Sequence, residues 1–204
     1  MLRRIPLSIL VIVFLASCSE AQVPPVEDQI GGAVLAAPAE YQAGATVLGY
    51  DRPGNVVTLR EGTNEFVCLA DNPEEEGFSV ACYHRDLEPY MARGRELRAG
   101  GMGAAENLAT REKEVLDGSL SWPTEPRTLY VRSGSEGAYD AASGTAPTSS
   151  LRYVVYIANA TAESTGLSEV PGAPGAPWLM SGGTFRAHIM VIPPAPAPAD
   201  SSTN

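Results

Sequence analysis

Cys68 and Cys82 stand symmetrically about Glu75, seven residues to either side, and between them runs Asn72-Pro73-Glu74-Glu75-Glu76-Gly77. Asn, Pro and Gly favour turns, and the flanking segments Glu65–Ala70 and Phe78–Tyr83 carry Val, Phe and Tyr. The pattern predicts an antiparallel hairpin. In that hairpin the two cysteines lie opposite one another, within bonding reach. Their bond would close a loop of roughly fifteen residues and stabilise the fold by ~3 kcal/mol in the chain-entropy account. It would persist only in oxidising surroundings. A redox pair is more often spaced Cys-x-x-Cys, and a metal would need ligands beyond His84, the one nearby candidate.

The amino terminus points to such a compartment. Arg3 and Arg4 precede an apolar run of nine, Leu7–Leu15, and Ala16-Ser17-Cys18 follows. That run is too short for a spanning helix, which needs ~20 apolar residues. Residues 1–17 read instead as a secretory signal peptide. Leu15-Ala16-Ser17-Cys18 resembles the bacterial lipoprotein box, a large apolar residue and two small ones before Cys. The resemblance implies that Cys18 becomes the first mature residue and carries a diacylglycerol thioether and an N-acyl chain. Three chains hold a protein on a membrane, since each buried methylene contributes ~0.8 kcal/mol and one chain alone is marginal. The alternative is an ordinary secreted protein cut after Ala21, with Cys18 discarded. Ser19 rather than Asp follows the cysteine, which tilts the expected location toward the outer membrane.

The chain has 204 residues and a formal net charge of −10, and all of its 14 basic residues except Lys113 are Arg, without a cluster. A nucleic-acid footprint is thereby excluded. Loss of Arg3 and Arg4 with the signal takes the charge to −12. Such a surface is repelled by anionic lipid, so membrane contact is expected through the lipid at Cys18 alone.

Pro24-Pro25 and Gly31-Gly32 mark residues 18–40 as a flexible tether. The Pro-Ala run and polar end over 193–204 read as a disordered tail. Residues 41–192 then form a single domain. Strands are predicted at Ala45–Tyr50, Val56–Arg60, Glu65–Ala70, Phe78–Tyr83, Thr128–Arg132, Arg152–Ala158 and Phe185–Ile192. Two helices separate the early strands from the late ones. The first is capped by Asp86 and ended by Gly100-Gly101; the second runs from Ala104 to Asp117. This order implies an α+β fold, mainly antiparallel sheet with two inserted helices. The Gly-, Ser-, Thr- and Pro-rich segments Ser133–Ser150 and Thr161–Gly183 read as long surface loops.

Only His84 and His188 can titrate near neutral pH. If their strands are neighbours, the two imidazoles converge with a carboxylate into a pocket; otherwise each is a strand residue bonded to backbone. Glu112 is the carboxylate in question, because ~100° per residue places it among Leu108, Val115 and Leu116 on the second helix. There it must find a cation or a donor, unless it reaches solvent at the stripe's edge. No His-x-His or His-Glu-x-x-His spacing occurs, so no metal and no cofactor is predicted. No Gly-x-Ser-x-Gly elbow supports a hydrolase.

Several stretches together resemble an uncharacterised family of secreted bacterial proteins. They include Phe66-Val67-Cys68, Ala81-Cys82-Tyr83-His84, Leu87–Leu97, Tyr153-Val154-Val155-Tyr156, Pro177-Trp178-Leu179-Met180 and Ala187-His188-Ile189-Met190. The resemblance brings a grouping and no activity. The expectation is a lipid-anchored cell-envelope protein with a non-catalytic binding or structural role. The alternative is an envelope enzyme or metal-binding protein using His84, His188 and Glu112.

Overall fold

The computed structural model describes residues 23–194. Its centre is the hairpin that the cysteines announce. Strands β3 (Phe66–Leu69) and β4 (Phe78–His84) pair antiparallel with Cys68 opposite Cys82, and a disulfide joins the two. Around them β1 (Thr46–Tyr50), β2 (Val56–Arg60), β5 (Arg127–Gly134), β6 (Ser150–Tyr156), β7 (Trp178–Met180) and β8 (His188–Val191) complete one eight-stranded sheet. The strand order is β2-β1-β3-β4-β5-β6-β8-β7, and every adjacent pair is antiparallel except β1 with β3. The fold is α+β.

Alternation along the strands divides the core between two faces. On one face Val47, Phe66, Cys68, Val80 and Cys82 pack beneath helix α1 (Val26–Val34) and the short helix α2 (Ala39–Gln42). On the other, Leu48, Val67, Tyr83 and Leu87 pack with Met91 of helix α3 (Glu88–Ala99). Helix α4 (Ala104–Leu116) lies against α3. Both α3 and α4 fall between β4 and β5.

The assignment of residues 18–40 to a flexible tether does not hold over the described part of that segment. Gln29, Gly32 and Ala33 share one buried side of α1, and Ala36 and Ala37 just beyond it are also in the core. The helix lies close to the sheet: a Cβ on Gly32 would sit 3.4 Å from the Tyr139 ring and 3.6 Å from Phe78. Small residues are therefore the packing face, which is why the segment reads as a linker. Gln29 fixes the helix in register. Its amide donates to the Tyr50 carbonyl at 3.0 Å and accepts from the Tyr50 N–H at 2.8 Å. The side chain thus extends the β1 ladder beyond the last paired residue of β3. Glu27 and Asp28 in its first turn suit the helix dipole.

Smaller differences have equally local causes. Asp86 does not cap the first inserted helix; a 3-10 turn, Arg85–Leu87, precedes α3, and the His84 ring caps it. The loop expected over Thr161–Gly183 holds β7 and a one-turn helix, α5 (Ala162–Thr165), nucleated by a Thr161–Ser164 capping box. Leu116, assigned to the apolar stripe of α4, is 73% exposed, because α4 packs on α3 and not on the sheet. The signal peptide, Cys18 and residues 195–204 of the expected tail lie outside the described residues.

Candidate functional site

The pocket envisaged from His84, His188 and Glu112 does not assemble. Phe66 pairs with His84, which puts that imidazole on the disulfide face of the sheet. His188 pairs with Tyr156 and Met180 on the opposite face. Three strand spacings, β4 to β5 to β6 to β8, separate them as well, about 14 Å at ~4.8 Å per step. Direct catalytic partners need hydrogen-bond reach.

The two histidines each have a local employment. His84 Nδ1 accepts from the Asp86 N–H at 3.2 Å and lies 3.5 Å from the Asp86 carboxylate. That carboxylate also receives Arg127 Nε at 2.6 Å, and the Arg127 hydrogen bond holds the Asp86 carboxyl below its ordinary pKa. His188 is buried; its Nδ1 donates to the Arg186 carbonyl at 2.8 Å, which leaves Nε2 as the acceptor nitrogen of the neutral ring. Burial pushes the His188 pKa down; the bond to the Arg186 carbonyl opposes this, and the Arg186 charge adds to it. Glu112 is half-buried on α4 and makes no hydrogen bond or ion pair among the described residues. It is Arg111, one residue earlier, that enters the helix interface.

Arg111 leads to an arrangement that no sequence pattern announces. Its guanidinium lies 4.2 Å above the Tyr90 ring, and Nη1 donates to the Tyr90 carbonyl at 3.2 Å. Gly94 makes room for it, since a Cβ there would approach Nη1 to 2.8 Å. Beneath, Trp122 from the α4–β5 connection meets Tyr90, Tyr156 and Phe185 edge-to-face, with ring centroids 4.8, 5.1 and 5.1 Å away. Such contacts are each worth about 0.5–1.5 kcal/mol beyond area burial. His188 closes the row, 5.2 Å from Tyr156.

Within this cluster the polar accounting does not close. Tyr90 is 4% exposed, yet its hydroxyl has no partner among the described residues, and neither do Arg111 Nε, Trp122 Nε1 or Asn107 Oδ1. Buried polar atoms in folded proteins nearly always find partners, and each that does not costs about 1–3 kcal/mol. Burial pushes the Tyr90 pKa up against the nearby charges of Arg111 and Arg186. Tyr156 is likewise raised, mainly by burial. Arg111 is pushed down by burial, with Arg186 and Arg98 adding repulsion. Neither Arg111 nor Arg186 has a carboxylate partner among the described residues.

Among the described residues, two clefts open on the fold. One of about 210 Å³ runs between α1 and the loop after β5, with Phe78 and Tyr139 in its walls and Asp28, Asp71 and Glu136 around it. The Asp71 pKa is raised, chiefly by burial, although its carboxylate accepts the Ser79 N–H at 2.7 Å. The other, about 580 Å³, opens beside the start of α3 and is lined by Val67, Glu88, Trp122 and Arg127.

No motif in the sequence links Tyr90, Arg111, Trp122 and Phe185. Those four come from α3, α4 and two connections, so only tertiary structure brings them together. No known protein family matches the chain, and neither a characterised protein nor a solved structure matches it.

Proposed function

We propose that the protein is an exported, lipid-anchored component of the bacterial cell envelope whose domain binds or scaffolds and does not catalyse. The observation that carries this reading is the Cys68–Cys82 disulfide between adjacent strands, a bond that lasts in oxidising compartments and is rare in the cytosol. It agrees with the signal-like residues 1–17 and with Leu15-Ala16-Ser17-Cys18 ahead of the domain. Placement of His84 and His188 on opposite faces of the sheet removes the shared-site argument for an enzyme. The unpartnered donors around Tyr90 favour binding over a purely structural role.

Mass spectrometry of protein taken from native membranes tests the reading. The expected amino terminus is an acylated Cys18, with Cys68 and Cys82 resistant to alkylation until reduced. A Cys18→Ser variant is expected to leave the membrane fraction or to accumulate uncut. A chain that retains Met1, or one whose cysteines alkylate freely, would overturn the assignment.

A further inference from the structure

We infer that the Tyr90–Arg111–Trp122 cluster is a binding site for an oxyanion group, a carboxylate or a phosphate. The inference rests on the binding role proposed above and gives that role a ligand chemistry. Its starting point is two buried donors left without acceptors, beside one acceptor, Asn107 Oδ1, left without a donor. Arg111 Nε–H and Trp122 Nε1–H are donors with no capacity to accept, and both are buried without an acceptor among the described residues. The hydroxyl of Tyr90, on a residue 4% exposed, makes no well-formed hydrogen bond, although the Arg186 side chain lies close to it. What satisfies such a set is a group rich in lone pairs.

The charge imbalance has the same sign. Arg111 is stacked on the Tyr90 ring rather than on a carboxylate, and Arg186 and Arg98 both lie near enough to repel it. Arg186 also acts on Tyr90 and Tyr156, while the Glu112 carboxylate acts on Tyr90 with the opposite sign. Elsewhere in the molecule arginines are answered: Arg93 meets Glu114 and Glu96, Arg95 meets Glu88, and Arg127 meets Asp86. Arg60 and Arg132, also part-buried and without a carboxylate, are met instead by carbonyl and hydroxyl oxygens, whereas Arg111 has one such bond, to the Tyr90 carbonyl. A part-buried cation without a counter-charge costs stability, and a bound anion supplies what the fold omits. Charge-assisted hydrogen bonds from guanidinium to carboxylate or phosphate are the strong, oriented kind.

Access runs past Trp122. Its indole nitrogen is buried, while the residue also lines the open cleft of about 580 Å³. Between Ser121 and Pro126 the main chain makes one hydrogen bond among the described residues, from Arg127 Nη1 to the Pro126 carbonyl at 2.9 Å. The indole, wedged among three rings, is what holds that connection down. Trp122 is thus the residue that cluster and cleft share.

The test is titration of the full-length protein with benzoate and, separately, inorganic phosphate, read by tryptophan fluorescence and by Tm. The chain has two tryptophans, so a Trp178→Phe variant assigns the signal to Trp122. A saturable response to either anion is expected, and the arm that saturates at lower concentration identifies the group. Arg111→Gln and Arg186→Gln should each weaken it about tenfold or more, the scale of a lost charge-assisted bond. Arg186 lies in a connection rather than a helix interface, so its variant keeps the test valid if Arg111→Gln folds poorly. Tyr90→Phe should weaken the response as well. No saturable response to either anion, or one undiminished in both Arg variants, would show that the donors are served by water and overturn the inference. The identity of the amino terminus does not enter this measurement, so its failure leaves the proposed localisation intact.

Discussion

His188 shows how burial sets chemistry at a single residue. It sits in β8 with its ring against Tyr156, and its pKa is lowered because the charged form would lose solvent there. In the unfolded chain the imidazole titrates near its ordinary value of about 6.5. Below that pH the unfolded state therefore binds more protons than the native one, and stability rises with pH across the interval between the two values. The protein is expected to lose stability as pH falls below about 6.5, by about 1.4 kcal/mol for each unit of lowering, until the folded ring is itself protonated. Thermal melts from pH 7.5 to 5.5 should show a decline in the natural protein that is smaller in His188→Gln. Equal slopes would mean that the ring charges freely in place. The same residue marks a limit of sequence reading. That His188 lies in a strand was legible from Phe185–Ile192; which face it occupies was not, because the face depends on register with β6.

At the scale of elements, legibility followed the size of the buried side chains. The β-hairpin of β3 and β4 was readable because Phe, Val, Cys and Tyr alternate around a turn-forming loop. Helix α1 was not, because its packing side is Gln29, Gly32 and Ala33, and a stripe of small residues carries little hydropathy. Helix α4 misled in the opposite direction. Leu116 suggested a buried apolar face, whereas its buried position is Asn107, whose amide donates to the Gly94 carbonyl at 2.8 Å. The hairpin also carries an energetic expectation. The cystine joins residues 14 apart in sequence and lies wholly buried beneath α1, with Cys82 sulfur 3.3 Å from the Ala33 carbonyl oxygen. Its loss frees the unfolded chain by ~3 kcal/mol and leaves two side chains in a face built around them. Reductant should thus lower the Tm of the natural protein, and a Cys68→Ala/Cys82→Ala variant should melt lower and ignore reductant. Identical melting of the natural protein with and without reductant would count against a stabilising bond.

For the whole molecule, the folding of α1 onto the sheet changes how an anchored domain sits at a membrane. A tether ending at residue 40 would leave the domain more than twenty residues from Cys18. With α1 beginning at Val26, eight residue steps separate the proposed lipid from packed structure, a reach of at most about 28 Å when fully extended. The sheet face covered by α1 would then stay near the bilayer. The cleft beside the start of α3 lies on the other face, which under the proposed anchoring would look toward bulk solvent and admit the ligand inferred for Arg111 and Trp122. Acidic positions in the segment make this measurable. Glu20 precedes the described residues, Glu27 is in the first turn of α1, and Glu40 is in α2. A Glu-specific protease applied to membrane-bound protein is expected to cut after Glu20 and release a domain beginning at Ala21. Glu40 is exposed, but cleavage there needs local unfolding of α2 from its place beside Ala36 and Ala37. Early appearance of a fragment beginning at Tyr41 would mean that α1 and α2 detach readily, and the long-tether geometry would return.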